Sequence, residues 1–318
     1  MRILIELPTW LGDSVMASPA IINIFKNFQG NYQVSFMGSK TALDYYQNFP
    51  KIETNLVLKK KNIFKDLSEI SKLGNFDYAI SFRSSFRSKI YLFFSKSKNK
   101  FQFLNCKFNK LHQVEKYNAF INNIFNTDYK PGPLMYFENI PTNHVKKRLI
   151  GINPGAAYGD AKRWPSSKFV SLIERFLKKD NLVVLFGGAK EIDSSKKIFD
   201  QFDLNLRKNL INLTGKTSIS DLIREISSLS LFITGDSGPM HIAAALKIPT
   251  ISIFGPTRLT ETSQWKNKEN TIIRKDLTCQ PCMKRTCPLG HHNCMNLIDV
   301  EEVYKKSQDL INLKSVNQ

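Results

Sequence analysis

The segment Leu231-Phe-Ile-Thr-Gly-Asp-Ser-Gly-Pro-Met-His-Ile-Ala-Ala-Ala-Leu246, followed by Pro249-Thr-Ile-Ser-Ile-Phe-Gly255, most constrains the fold. It reads as a short buried strand, a glycine-rich turn, a helix and a second strand. Gly235 and Gly238 allow the tight turn and let a ligand approach the backbone closely. Ser237 or Gly238 can cap the helix, and Pro239 suits its first turn, where no amide donor is needed. The free amides and positive dipole end of such a helix form an anion site. Taken alone, the same pattern also describes an ordinary strand–helix connection.

Strand–helix alternation runs along the whole chain. Residues 2–7 form an apolar strand and 8–13 a loop, followed by a helix with Val15, Ile21, Ile22, Phe25 and Phe28 on its buried side. Pro19 within that helix predicts a kink or restart. Further strands are predicted at 32–37, 55–58, 76–81 and 101–104, and the pattern lapses into a polar, basic linker over 141–148. It resumes with a strand at 149–153 and a helix capped by Ser166, then a strand at 182–186 ending in Gly187-Gly188. A strand at 210–213 precedes a Ser218-x-x-Asp221 capping box, strands follow at 231–234 and 251–254, and a helix begins near Val300. Such repetition predicts an α/β protein with mostly parallel sheets covered on both faces. Two doubly wound, Rossmann-like halves, 1–147 and 148–318, would face each other across a cleft. Ligands in such sheets sit at the carboxyl ends of the strands. The loops 8–13, 154–165, 187–191, 235–239 and 255–258 all fall there.

The formal charge of +19 points to an anionic partner. Residues 81–110 contain eight Lys and Arg, Arg83 and Arg87 among them, interleaved with eight aromatic residues and no acid. Nucleic acid, anionic lipid and phosphorylated glycan all suit such a surface, as does the plain reading of solvated lysines in a lysine-rich chain. No RNP, zinc-finger or helix-turn-helix signature supports nucleic acid. No apolar run is long enough to span a bilayer and none resembles a signal peptide, so a cytoplasmic location is expected. Gly215-Lys-Thr217 is not a phosphate-binding P-loop, because the required earlier glycine is Leu210. Cys279, Cys282, Cys287 and Cys294 supply enough soft ligands for a structural zinc, with His291 and His292 among them. Their spacing is not that of a standard knuckle pair. Reduced cysteines packing a loop, with no metal, are expected, and Cys106 is expected to be buried.

With these loops in hand, the chain resembles glycosyltransferase family 9, the bacterial lipopolysaccharide heptosyltransferases. The matching segments are Trp10-Leu-Gly-Asp13 through Ala17-Ser-Pro19, Asn153-Pro-Gly-Ala with Lys162-Arg-Trp-Pro165, Gly187-Gly-Ala-Lys-Glu191, and Gly235-Asp-Ser-Gly-Pro-Met-His241. The cysteine segment looks most like the heptosyltransferase II branch. The resemblance implies the GT-B fold, with an acceptor-binding domain at 1–147 and a nucleotide-sugar-binding domain at 148–318 that ends in a terminal helix. It also implies inverting transfer of heptose from ADP-heptose to heptosyl-Kdo-lipid A at the cytoplasmic face of the inner membrane. No cofactor, no nucleic acid and no stable protein partner are expected.

By the same resemblance, Asp13 is the general base that takes the acceptor hydroxyl proton, although a helix N-cap is its bland alternative. Lys162, with Arg163 as a second candidate, offsets charge on the departing diphosphate, and the amides after Ser237 assist. Absence of any Asp-x-Asp pair argues for a reaction without a metal clamp. Glu191 matches the ribose-binding acid or, blandly, a first-turn helix acid, and Asp236 matches the acid near the donor sugar. Gly155, Ser237, Gly238, Met240 and His241 complete the nucleotide-sugar site, while Trp10, Gly12, Arg83 and Arg87 are placed toward the acceptor. Heptosyltransferases I and III, a sugar-nucleotide epimerase of the same fold, and a basic nucleic-acid-binding protein are the alternatives.

Overall fold

Among the described residues of the computed structural model every strand pair is parallel, and the strands form two separate sheets. The structure describes residues 1–28, 31–59, 62–108, 110–140 and 148–316. The expected linker over 141–148 therefore lies outside the described residues except for Arg148, as does the side chain of Cys106. The chain divides into two units, Met1–Glu138 and Asn139–Gln318.

The first unit runs β1 (Arg2–Glu6), α1 (Leu11–Lys26), β2 (Gln33–Gly38), α2 (Lys40–Tyr45), β3 (Ile52–Val57) and α3 (Ile63–Lys72). It continues with β4 (Asn75–Ser81), α4 (Phe86–Phe94), β5 (Lys96–Gln102) and α5 (Gln113–Phe125). Its sheet has the order β3-β2-β1-β4-β5, so β1 is central and its Ile3, Leu4 and Ile5 are fully buried. Helix α1 passes through Pro19 as one helix rather than restarting. The missing amide of Pro19 frees the Val15 carbonyl, which instead accepts from Ser18 Oγ at 2.7 Å. Strand β5 begins five residues before the expected 101, in the run Lys-Ser-Lys-Asn-Lys. It closes one edge of the sheet, where lysines discourage further pairing.

The second unit runs β6 (Leu149–Asn153), α6 (Ser166–Leu177), β7 (Leu182–Leu185), α7 (Ile192–Phe199), α8 (Leu204–Arg207) and β8 (Leu210–Asn212). Next come α9 (Ile219–Ser227), β9 (Leu231–Gly235), α10 (Gly238–Ala245), β10 (Thr250–Ile253) and α11 (Leu259–Thr262). It ends with β11 (Asn270–Ile273), α12 (Asn293–Asn296) and α13 (Val300–Val316). The sheet order is β11-β10-β9-β6-β7-β8. Ser166 is the first residue of α6 and Pro165 holds the cap position, which corrects the assignment of Ser166 as the cap. The capping box of Ser218 and Asp221 is formed at α9. Helix α13 returns to the core, where its Val303 and Ile311 join Phe169, Ile173 and Phe176 of α6.

Gly151 sits in the middle of β6 beneath a crowded layer. A Cβ there would lie 2.4 Å from Leu229 Cδ1 and 2.8 Å from Phe232 Cδ2. Gly151→Ala should therefore overpack the core and lose about 1–3 kcal/mol of stability in urea denaturation. A midpoint equal to that of the wild type would contradict so tight a layer.

Candidate functional site

The strand order of the second unit reverses at β6 and β9. From β6 the chain crosses by α6 to β7 on one side, and from β9 by α10 to β10 on the other. Ligands gather at such a switch point because the diverging loops leave a crevice. The two strand ends are tied together: Asn153 Nδ2 donates to Thr234 Oγ1 and to Ser237 Oγ, each at 3.2 Å. Beyond them, Lys162 Nζ donates to Asp236 Oδ2 at 2.6 Å and to the Asp236 carbonyl at 3.2 Å. Thr257 Oγ1 and Thr262 Oγ1 donate to the same Oδ2 at 2.8 and 3.3 Å. The side chains of Lys162 and Asp236 are only 11% and 6% exposed. Tyr158 adds its ring face 4.7 Å from the Lys162 ammonium. A cation stripped of water and held by one carboxylate is poised to re-pair with an anionic ligand.

Helix α10 starts beside this pair. Ser237 occupies its N-cap without making a side-chain capping bond, because the hydroxyl is engaged by Asn153 and lies 2.9 Å from that of Thr234. The first-turn amides after Gly238 are thus left for an anion. Met240 and His241 are buried in the same turn. Glu191 is 5% exposed, and its Oε2 accepts from the Gly188 amide at 2.6 Å. Gly155 packs directly on it, since a Cβ at Gly155 would lie 2.4 Å from Glu191 Cγ. Gly155 and Glu191 therefore meet where the loops after β6 and β7 leave the sheet.

The cysteine segment braces the loop that carries Lys162. The Ala161 amide donates to the Arg285 carbonyl at 3.0 Å, Tyr158 Oη to the Met283 carbonyl at 2.7 Å, and His292 Nε2 lies 3.0 Å from the Ala161 carbonyl. The thiols of Cys279, Cys282, Cys287 and Cys294 are free. Burial, then the neighbouring cysteines, push the Cys294 thiol up to about 11, while backbone amides, His292 first, lower that of Cys287. Among the described residues, no group of three or more His, Cys, Asp or Glu is arranged to hold a metal ion.

The first unit reverses at β1 and β4. Asp13 lies in the first turn of α1, after β1, with Gly12 beside it and Trp10, 51% exposed, at the cap position. Trp10 makes no side-chain capping bond. The Asp13 carboxylate is hydrogen-bonded by Tyr117 of α5; burial, then the Asp13 charge, push the Tyr117 phenol well above the tyrosine range. Arg83 follows β4, and its Nη1 donates to Glu6 Oε1 at 3.0 Å. Glu6, the last residue of β1, is fully buried and also accepts from Ser81 Oγ at 2.6 Å and Ser88 Oγ at 3.0 Å. Arg87 lies in the first turn of α4.

A model of glycosyltransferase family 9 (heptosyltransferase) matches residues 72–293. The chain belongs to this family. A lipooligosaccharide heptosyltransferase 2 of Campylobacter jejuni serotype O:2 is 38% identical to it over 98% of each chain. The lipopolysaccharide heptosyltransferase 2 of Escherichia coli K12 is 25% identical over 94% of this chain and 95% of its own. The solved structure of E. coli ADP-heptose lipopolysaccharide heptosyltransferase II superposes with a TM-score of 0.82 at 21% identity, covering 99% of this chain and 100% of that one. The two parallel α/β sheets are thus the GT-B fold of these neighbours. Family 9 membership makes the chain a glycosyltransferase, and sets aside the epimerase and the non-enzymatic nucleic-acid readings.

Within this family 9 chain, the structure gathers Gly155, Lys162, Glu191, Asp236, Ser237, Gly238, Met240 and His241 at the carboxyl edge of one sheet. Trp10, Gly12, Asp13 and Arg83 gather at that of the other, with Arg87 opening the helix that follows. Glu6, Tyr117 and Thr262 escaped the reading of the sequence, and Thr257, inside the expected loop 255–258, was given no role there. An acid closing an otherwise apolar strand was the available signal for Glu6; nothing local marks Tyr117, which reaches Asp13 from α5. Burial raises the Glu6 carboxyl above its usual range, outweighing the lowering effect of Ser81, Arg83 and Ser88. Its contribution to stability is full while it is protonated, below the unfolded value of 4.5, and is lost as pH rises through the raised folded value. Glu6→Gln removes that dependence and adds a pH-independent cost at Arg83. In urea denaturation, variant-minus-wild-type stability should therefore shift toward the variant as pH rises above the unfolded value of 4.5. A difference that does not change with pH would contradict this.

Proposed function

We propose that the chain transfers heptose from ADP-heptose to the heptosyl-Kdo-lipid A inner core of lipopolysaccharide, with inversion at the anomeric carbon. The observation that carries this reading is the 38% identity, over 98% of both chains, to a protein named lipooligosaccharide heptosyltransferase 2. The chemistry of the two switch points suits it. The donor goes to the second unit and the acceptor to the first.

In the reaction, an acceptor hydroxyl oxygen bonds to the anomeric carbon as the bond from that carbon to the diphosphate oxygen breaks. Asp13 takes the hydroxyl proton as the sugar becomes oxocarbenium-like. ADP leaves with the electron pair, so charge grows on its diphosphate. Lys162 and the first-turn amides of α10 oppose that charge, the lysine exchanging Asp236 for phosphate. Asp236, held by Thr257 and Thr262, then faces the hydroxyls of the donor sugar. Glu191 accepts from the ribose hydroxyls with Gly155 leaving the space, while Met240 and His241 line the site. Arg83, oriented by Glu6, and Arg87 meet carboxylates or phosphates of the acceptor, beside Trp10 and Gly12.

The acceptor is an amphiphile, so the enzyme would work peripherally at the cytoplasmic face of the inner membrane. No helix among the described residues is long and apolar enough to cross a membrane.

The test is ADP release from ADP-heptose with Kdo-lipid A or heptosyl-Kdo-lipid A as acceptor. Release should occur only with the heptosylated acceptor, and Asp13→Asn should lower kcat by at least about a hundredfold. Release with the unheptosylated acceptor would move the chain to the first-heptose reaction. No release with either acceptor would overturn the donor assignment.

A further inference from the structure

Helix α4 carries apolar side chains on the side that should be polar. Its Ser88, Tyr91 and Leu92 are buried against the unit. Phe86 and Phe93, seven residues apart and hence two turns along the same face, are 77% and 76% exposed. Phe94, at the edge of that face, is 46% exposed and meets the Phe93 ring edge-on at 5.5 Å. A surface helix ordinarily turns charged and polar residues outward. Exposed rings aligned on one face mark a surface that is covered in use.

Charge says what covers it. Lys89 is exposed between the two rings, and the adjoining edge strand β5 exposes Lys96, Lys98 and Lys100. Lys100 Nζ donates to the Phe93 carbonyl at 2.9 Å and sits 5.9 Å from the Phe93 ring, so cation and ring share one patch. Residues 81–110 contain no acid, in a chain of formal charge +19. Aromatic rings flanked by ammonium groups fit a boundary where acyl chains lie beside anionic headgroups.

We infer that the outer face of α4 and the lysines of β5 dock on an anionic phospholipid bilayer. Phe86 and Phe93 enter the acyl boundary, while Lys89, Lys96 and Lys100 meet headgroup phosphates, Lys98 being paired with Asp77 at 3.5 Å. This deepens the membrane-peripheral reading above. Vesicle binding is measured without sugar nucleotide, so its failure is separable from failure of heptosyl transfer.

The experiment is co-sedimentation with vesicles of phosphatidylcholine alone and with about 30% phosphatidylglycerol. Wild type should partition at least about tenfold more strongly onto the anionic vesicles, and lose that preference in high salt. The double variant Phe86→Ser/Phe93→Ser should lose about tenfold in partitioning while keeping the wild-type melting temperature, since both side chains are exposed. Equal partitioning onto both vesicle types would overturn the inference, as would double-variant binding equal to wild type. A dimer in light scattering that the double variant breaks would overturn it too, assigning the face to a second copy of the chain.

Discussion

The contact between Lys162 and Asp236 gives the second unit its chemical character. Both groups lie on loops that leave the sheet at its switch point, and both are nearly buried. A lone ammonium in that position would lose its hydration without recompense, and so would a lone carboxylate. Together, with Thr257 and Thr262 completing the bonds to Asp236, they keep an ammonium paired beside the first turn of α10. The cysteine segment fixes the other end of the arrangement through its bonds to Tyr158 and Ala161. Its role in the fold is therefore mechanical support of a charged loop.

The first unit solves a similar problem with the opposite sign. Glu6 is an acid at the end of a fully buried strand, and it is tolerated because two serine hydroxyls and Arg83 converge on it. Arg83 thereby has a fixed orientation, although its side chain is 25% exposed. Asp13 is likewise held, by a tyrosine from a helix more than a hundred positions along the chain. In each unit a charged side chain near the carboxyl edge of the sheet is steadied by a second polar group.

The elements were legible where apolar periodicity is strong. The segment from Leu231 to Ile253 could be read nearly residue by residue, because strand, glycine turn and helix each impose a distinct local pattern. Strand β5 was read short because an edge strand tolerates lysine at positions where a central strand cannot. Strand β11, also at an edge, was missed in a polar stretch. Pro19 does not restart the helix, and Ser18 satisfies the freed carbonyl, a compensation visible only in three dimensions. Candidate site residues were legible as loop motifs at strand ends. Their supports were not, since Tyr117, Thr257 and Thr262 act across elements distant in the chain.

The measurement that bears most directly on the central claim is calorimetric binding of ADP to the wild type, to Lys162→Met and to the neutralised pair Lys162→Met/Asp236→Asn. If Lys162 exchanges Asp236 for diphosphate, both variants should bind ADP at least about tenfold more weakly. The double variant guards against an effect of the orphaned Asp236 charge alone. ADP affinity equal to that of the wild type in both variants would contradict the account and remove the diphosphate from this switch point.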